Sequence, residues 1–160
     1  MTYIVGIDLA KYHHECLIIS QNGKVIFKSF SFDNNAQGFD FFLSSLSQLS
    51  NSNQIKIGFE ATGHYGDNLK NFLIKSGYGF MEIHPVLINR FSKASTLRKT
   101  KTDKVDVSII CSYLNSVDYK PYSTESYHTK YFKSLTRSRD SLVKERSLQL
   151  QRMTNVLDIT

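Results

Sequence analysis

Four carboxylates stand in contexts that suggest chemistry rather than solubility. Asp8 ends the apolar run Tyr3-Ile4-Val5-Gly6-Ile7, and Glu60 follows another that closes on Gly58-Phe59. Asp103 and Asp106 lie three apart in Lys101-Thr102-Asp103-Lys104-Val105-Asp106, which sets both on one face of a helix. Acids gathered in one place repel and raise one another's pKa unless a cation sits between them. A cluster of these four implies a divalent metal, and hard oxygen donors suit Mg²⁺ or Mn²⁺ rather than zinc. Two such ions ~3.5–4 Å apart clamp the attacking and leaving oxygens of a phosphodiester. The chemistry to expect is metal-dependent phosphoryl transfer on a nucleic acid.

Each acid also has a structural reading. An Asp after a first strand serves equally as a turn residue. Asp103 at a helix start is stabilised by the helix dipole alone. Asp106 is followed at helical spacing by Ile109, Ile110 and Tyr113, so it can face the core side. Lys11, Thr62 and Tyr65 flank the acids and are equally open to a structural role. His13, His14, His64, His84 and His128 show no metal-binding spacing and are left unassigned.

The remaining charge is mostly positive. The chain carries +6 at neutral pH, with a pI of about 9.3. Arg90, Lys93, Arg98, Lys99, Lys101 and Lys104 face one acid, Asp103, over that stretch, and Arg137, Arg139 and Arg146 lie in a second basic segment. Together with Lys11 these are the candidate nucleic-acid-binding residues, since Lys and Arg on phosphates supply most of the affinity for a polyanion. The plainer alternative is a solvated surface.

Elements must carry these residues to one place. Residues 2–8, 13–20 and 24–30 read as three consecutive antiparallel strands, with Asn22-Gly23 favouring a type I′ turn. Asn34 with Gln37 reads as a capping box for a helix in which Phe39, Phe42, Leu43, Leu46 and Leu49 recur at helical spacing. A fourth strand over 54–59, a helix over 65–76 ended by Gly77, a fifth strand over 78–83 and a helix opened by Pro85 follow. Residues 95–101 read as an exposed loop, Thr102 as the cap of a helix to about Ser116, and everything from Thr124 as one long helix. In that helix Phe132, Leu135, Arg139, Leu142, Arg146, Gln149, Met153 and Val156 fall at heptad spacing with polar interruptions, as in an imperfect coiled coil or a helix packed on a partner. The result is an α/β chain: a mixed sheet flanked by helices, followed by a long C-terminal helix. If the first and fourth strands are parallel neighbours, Asp8 and Glu60 meet.

With 160 residues and 41% hydrophobic content, one domain with a short appendage is expected. No apolar run approaches the ~20 residues that span a bilayer, and no secretory leader is visible, so the expected location is cytoplasmic. Cys16 and Cys111 read as reduced core thiols.

Taken together, Gly6-Ile7-Asp8-Leu9-Ala10-Lys11, Glu60-Ala61-Thr62-Gly63-His64-Tyr65 and Lys101-Thr102-Asp103-Lys104-Val105-Asp106 resemble the DEDD transposases of the insertion-sequence family numbered one hundred and ten, related to the pilin-gene inverting recombinases. Val107 stands where that family usually has a smaller residue. The resemblance implies a ribonuclease-H-like, RuvC-like domain over 1–120, with Asp8, Glu60, Asp103 and Asp106 binding Mg²⁺ or Mn²⁺, and the start of a long basic helix over 121–160. It implies DNA as substrate, a structured guide RNA, and homodimers or higher homo-oligomers through the C-terminal helix, with no membrane partner. Family members carry a further C-terminal domain with a Ser nucleophile. No Gly-rich segment resembling it is present here, so the chain reads as a fragment that need not act alone. The rival readings are a Holliday-junction resolvase, an actin-like or sugar-kinase ATPase (which needs a second, Gly-rich phosphate loop), and a noncatalytic nucleic-acid-binding and dimerisation module.

Overall fold

The computed structural model describes residues 1–49, 54–61, 63–95, 103–122 and 124–157; of residues 95, 103–105, 124–131 and 133 it describes the backbone only. Among the described residues, five strands and five helices follow one another as β1 (Tyr3–Asp8), β2 (His13–Ser20), β3 (Val25–Asp33), α1 (Ala36–Ser47), β4 (Ile55–Glu60), α2 (Asp67–Lys75), β5 (Phe80–Ile83), α3 (Pro85–Ser95), α4 (Asp103–Ser116) and α5 (Thr124–Leu157). Two units result, Met1–Tyr122 and Ser123–Thr160.

In the first unit the strands form one mixed sheet in the order β3-β2-β1-β4-β5. β1, β2 and β3 pair antiparallel, while β1–β4 and β4–β5 are parallel. The arrangement follows from connection length: tight loops join the hairpin strands, whereas helical crossovers return the chain parallel. Side chains alternate across the strands. Val5, Ile7, Cys16, Ile18, Ile57, Phe59 and Phe80 enter one core with Phe39, Phe42 and Leu46 of α1 and Leu69 and Leu73 of α2. Ile4, Ile19 and Ile83 enter a second core on the opposite face, with Ile88 of α3 and Ile110, Cys111 and Leu114 of α4. After α4 the chain closes the β5 edge. Tyr122 N donates to Phe80 O at 2.7 Å, and the Tyr119 hydroxyl accepts from Ile57 N at 3.1 Å and donates to Gly79 O at 3.0 Å. Burial pushes the Tyr119 phenol up to about 12.

Local chemistry differs from expectation in several places. The β2–β3 turn is a three-residue loop, not a two-residue type I′ turn. Gly23 N donates to Ser20 O at 2.8 Å, Ser20 N donates to Lys24 O at 2.8 Å, and Gly23 takes the left-handed region, at φ +79°. The cap of α1 is Asn35, not Asn34: Asn35 is extended (φ −148°, ψ 175°) and its side chain accepts from Gly38 N. α2 starts at Asp67, because residues 63–66 are spent in a turn. β4 reaches Glu60, which is therefore the last strand residue. Both cysteines are free and buried. The expected basic loop falls, after Ser95, outside the described residues.

The second unit is α5, 34 residues and so about 50 Å of helix. Every described side chain in it is exposed, including Phe132, Leu135, Leu142, Met153 and Val156 at the heptad positions. Among the described residues no helix is long and apolar enough to cross a membrane.

Candidate metal centre

Strand register brings the first two acids together. In the parallel pair, Gly6 lies beside Gly58 and Ile7 beside Phe59, so one further step sets Asp8 beside Glu60. Because Ile7 and Phe59 enter the α1–α2 core, alternation turns Asp8 and Glu60 to the other face, the one α4 covers. Both are half-buried.

Glycine at two positions lets α4 onto that face. A Cβ on Gly6 would lie 2.7 Å from Cys111 Sγ and 2.9 Å from Val107 O, and one on Gly58 would lie 2.6 Å from Leu114 Cδ2. The direction of α4 is fixed by its far end. Asn115 Nδ2 donates to Gln21 O at 3.0 Å, and Gln21 N donates to Thr2 O. α4 therefore runs against β1, its beginning over the carboxyl end of the strand. From Gly6 to Asp8 the strand advances roughly 6–7 Å, the rise of about four helical residues. Counted back from the Val107–Cys111 turn, the level of Asp8 falls between Asp103 and Asp106. Asp106 is half-buried; Asp103 opens α4, and its side chain lies outside the described residues. Among the described residues no three His, Cys, Asp or Glu side chains form a group that holds a metal ion.

Glu15 is an acid the sequence reading passed over. It lies directly opposite Asp8 in the antiparallel β1–β2 pair and, by alternation with Cys16, on the same face. The row Glu15, Asp8, Glu60 thus crosses three adjacent strands. The Ser29 hydroxyl donates to Glu15 Oε1. Like charges directly opposite are unfavourable unless neighbouring groups offset them. Its partner across a hairpin is a matter of register, which composition does not reveal.

The donor set fits a hard cation. All its members offer carboxylate oxygen. Cys111, on the same face beside Gly6, is no competitor: burial pushes its thiol up to about 12, and Sγ donates to Leu17 O at 3.5 Å.

The candidate phosphate-binding residues are scattered. Lys11 is exposed in the bend after β1, its Nζ 4.9 Å from the Tyr12 ring centroid. Arg90 and Lys93 are exposed on α3, which is braced beside α4 by Phe91 edge-on to Tyr113 at 5.5 Å. Arg98, Lys99 and Lys101, and the side chain of Lys104, lie outside the described residues. Arg137, Arg139 and Arg146 are exposed on α5, with Arg139 Nη1 3.2 Å from Asp140 Oδ1.

Comparison with known proteins agrees with this architecture. Residues 5–160 match the family DEDD_Tnp_IS110, described as transposase. The pilin gene-inverting proteins of Moraxella lacunata and Moraxella bovis are each 31% identical over 153 residues, covering 92% of this chain and 46% of theirs. The chain thus spans about half the length of the curated relatives it matches. Among solved structures, T. thermophilus RuvC in complex with Holliday junction substrate superposes with a TM-score of 0.50 at 9% identity, over 76% of this chain and all of that one. The fold is accordingly RuvC-like, of the ribonuclease-H type, and the chain belongs to the IS110 DEDD transposase family.

Proposed function

We propose that this chain is the metal-dependent catalytic domain of a DNA transposase or recombinase, cleaving and transferring phosphodiester strands during transposition. The observation that carries the reading is the pairing of Asp8 and Glu60 on one face at the ends of parallel neighbours, under the start of the helix that bears Asp103 and Asp106. Asp8, Glu60, Asp103 and Asp106 would hold Mg²⁺ or Mn²⁺. Bound there, the metal would supply charge stabilisation to the reacting phosphodiester and lower the pKa of an attacking oxygen. The protein's own part is to fix the carboxylates on a rigid sheet, so that they need no rearrangement as charge develops. Arg90 and Lys93 on α3, with Lys11, Arg98, Lys99, Lys101 and Lys104, would hold the phosphate backbone beside the acids. No serine of this chain is assigned as nucleophile.

The finer parts of the reading rest on family membership and on α5. A structured RNA would guide the reaction, and a second copy would cover the apolar positions Leu135, Leu142, Met153 and Val156 of α5, aided by Arg137, Arg139 and Arg146 on nucleic acid. The compartment would be the cytoplasm.

Calorimetric titration of Mn²⁺ into the chain tests the central element, beside Asp8→Asn and Glu60→Gln. Saturable binding lost in both variants is expected. Binding that survives both substitutions would move the metal elsewhere and leave a nucleic-acid-binding module.

A further inference from the structure

Asn34 lies between β3 and α1, away in sequence from Asp8 and Glu60, yet it touches the exits of the two strands that carry them. Its Nδ2 donates to Lys11 O at 3.1 Å and to Tyr65 O at 3.2 Å. Its backbone N donates to Tyr12 O at 2.8 Å. Lys11 lies in the loop after Asp8, and Tyr65 in the loop after Glu60. One amide therefore bridges the exit loops of β1 and β4. The same loops touch again where Leu9 Cδ1 would lie 2.6 Å from a Cβ on Gly66.

The His14 ring belongs to the same part of the fold. The ring is buried, edge-on to Phe32 at 5.3 Å and stacked on Phe39 at 6.3 Å. Its Nδ1 accepts from Ala10 N at 3.3 Å, so the neutral ring carries its proton on Nε2 and is a donor there. His14 Nε2 and Asn34 Oδ1 are the buried side-chain polar atoms without a hydrogen-bond partner among the described residues. The two carbonyls facing Nδ2 set the amide orientation. The reverse would set oxygen against oxygen on both loops.

We propose that Asn34 is a positioning residue that fixes the spacing of Asp8 and Glu60 by bonding both exit loops, and so sets the affinity of the acid pair for a divalent cation. This rests on the proposed reading of the two acids as metal ligands. Ligand spacing is held to a few tenths of an ångström in metal sites (~0.2 Å), and partners that orient ligands typically change metal affinity ~10–100-fold. Asn34 does for two strand ends what the sheet ladder stops doing one residue earlier.

The test compares wild type, Asn34→Asp, Asn34→Ala and Asp8→Asn as full chains. Two quantities are read: the Mn²⁺ concentration for half-maximal thermal stabilisation, and amide hydrogen exchange in residues 9–12 and 63–66 without metal. Asn34→Asp keeps the size and the Oδ1 acceptor but removes both donors; Asn34→Ala removes them without adding charge and decides the matter if the Asp variant does not fold. The expected result is faster exchange in both loops at once, with the Mn²⁺ midpoint raised about tenfold in a folded protein. Wild-type midpoints in the Asn34 variants, or faster exchange in one loop alone, would overturn the positioning role while Asp8→Asn still loses binding. A wild type that responds to Mn²⁺ no differently from Asp8→Asn would instead sink the metal reading, and the positioning role with it.

Discussion

The two faces of the sheet are built on opposite plans. On the face of α1 and α2, large aromatic side chains fill the space: Phe32 stacks on Phe42 at 4.6 Å, and Phe59 on Phe80 at 5.3 Å. On the face of α4, β1 and β4 present glycine where the other face has Val5, Ile7, Ile57 and Phe59, and the helix backbone itself comes down onto the strands. The charged row Glu15, Asp8 and Glu60 lies on this second face. The first face thus contributes most of the apolar burial, and the second can carry mutually repelling acids at its rim. Most of the apolar burial and the proposed chemistry lie on opposite sides of one sheet.

The largest effect should come from the aromatic face. Phe42 is fully buried, and Phe42→Ala should cost ~3–5 kcal/mol in urea unfolding while leaving the Mn²⁺ midpoint of the folded protein unchanged. A midpoint shifted more than about twofold would show that the faces are coupled.

Acid should weaken the same face next. Burial, reinforced by the charge of His13, holds His14 down to about 4 against an ordinary 6.5, with Asn34 acting in the other direction. Above pH 6.5 the ring is neutral in both folded and unfolded chains, and this stability is fully present. As the pH falls from 6.5 toward 4, the unfolded chain takes a proton the folded one refuses. At ~1.4 kcal/mol per unit the loss is about 3 kcal/mol. Urea midpoints at pH 7 and pH 4.5 check this, and His14→Phe should flatten that part of the slope.

Gly6→Ala probes the other face. The new Cβ meets Val107 O, a backbone atom that cannot swing aside, so α4 must lift, at ~1–3 kcal/mol. The Mn²⁺ midpoint should rise several-fold as Asp106 and Asp103 move away. The atoms nearest the new Cβ in Gly58→Ala all belong to the Leu114 side chain, which is flexible, so this change should do less to both readings. Equal effects from the two glycines would contradict the placement of α4 over β1.

The smallest effect belongs to the exposed bases. Replacing Arg90 and Lys93 with Ala should leave stability within ~0.5 kcal/mol, weaken nucleic-acid binding, and flatten its salt dependence by about one unit of slope per lost phosphate contact. Adding Arg98→Ala, Lys99→Ala and Lys101→Ala should flatten it further. An unchanged slope would remove these residues from the interface.

Much of this architecture is legible in the chain, for local reasons. Asp8 and Glu60 are conspicuous because each ends an apolar run, and the helical spacing of Phe39, Phe42 and Leu46 leaves little choice of face. The rest depends on what only tertiary structure supplies. Neighbouring Asn34 and Asn35 are chemically equivalent as caps, and backbone angles choose Asn35; Asn34 is thereby freed to bridge two loops. Glu15 and His14 are polar residues in a strand, and nothing in their spacing assigns them a place until the strand proves to be an inner one. Lys70 looks like the polar side of an amphipathic helix, yet it is buried, its Nζ 2.7 Å from Glu82 Oε1. That partner lies twelve residues on and reaches it only when β5 docks.

The most direct measurement is a double-mutant cycle on Mn²⁺ affinity with Asp8→Asn, Asp106→Asn and the pair together. Two carboxylates sharing one ion are coupled, so each single change should abolish most of the binding and the double change should add little beyond either. Losses that add independently would mean that the end of β1 and the start of α4 do not serve one metal centre.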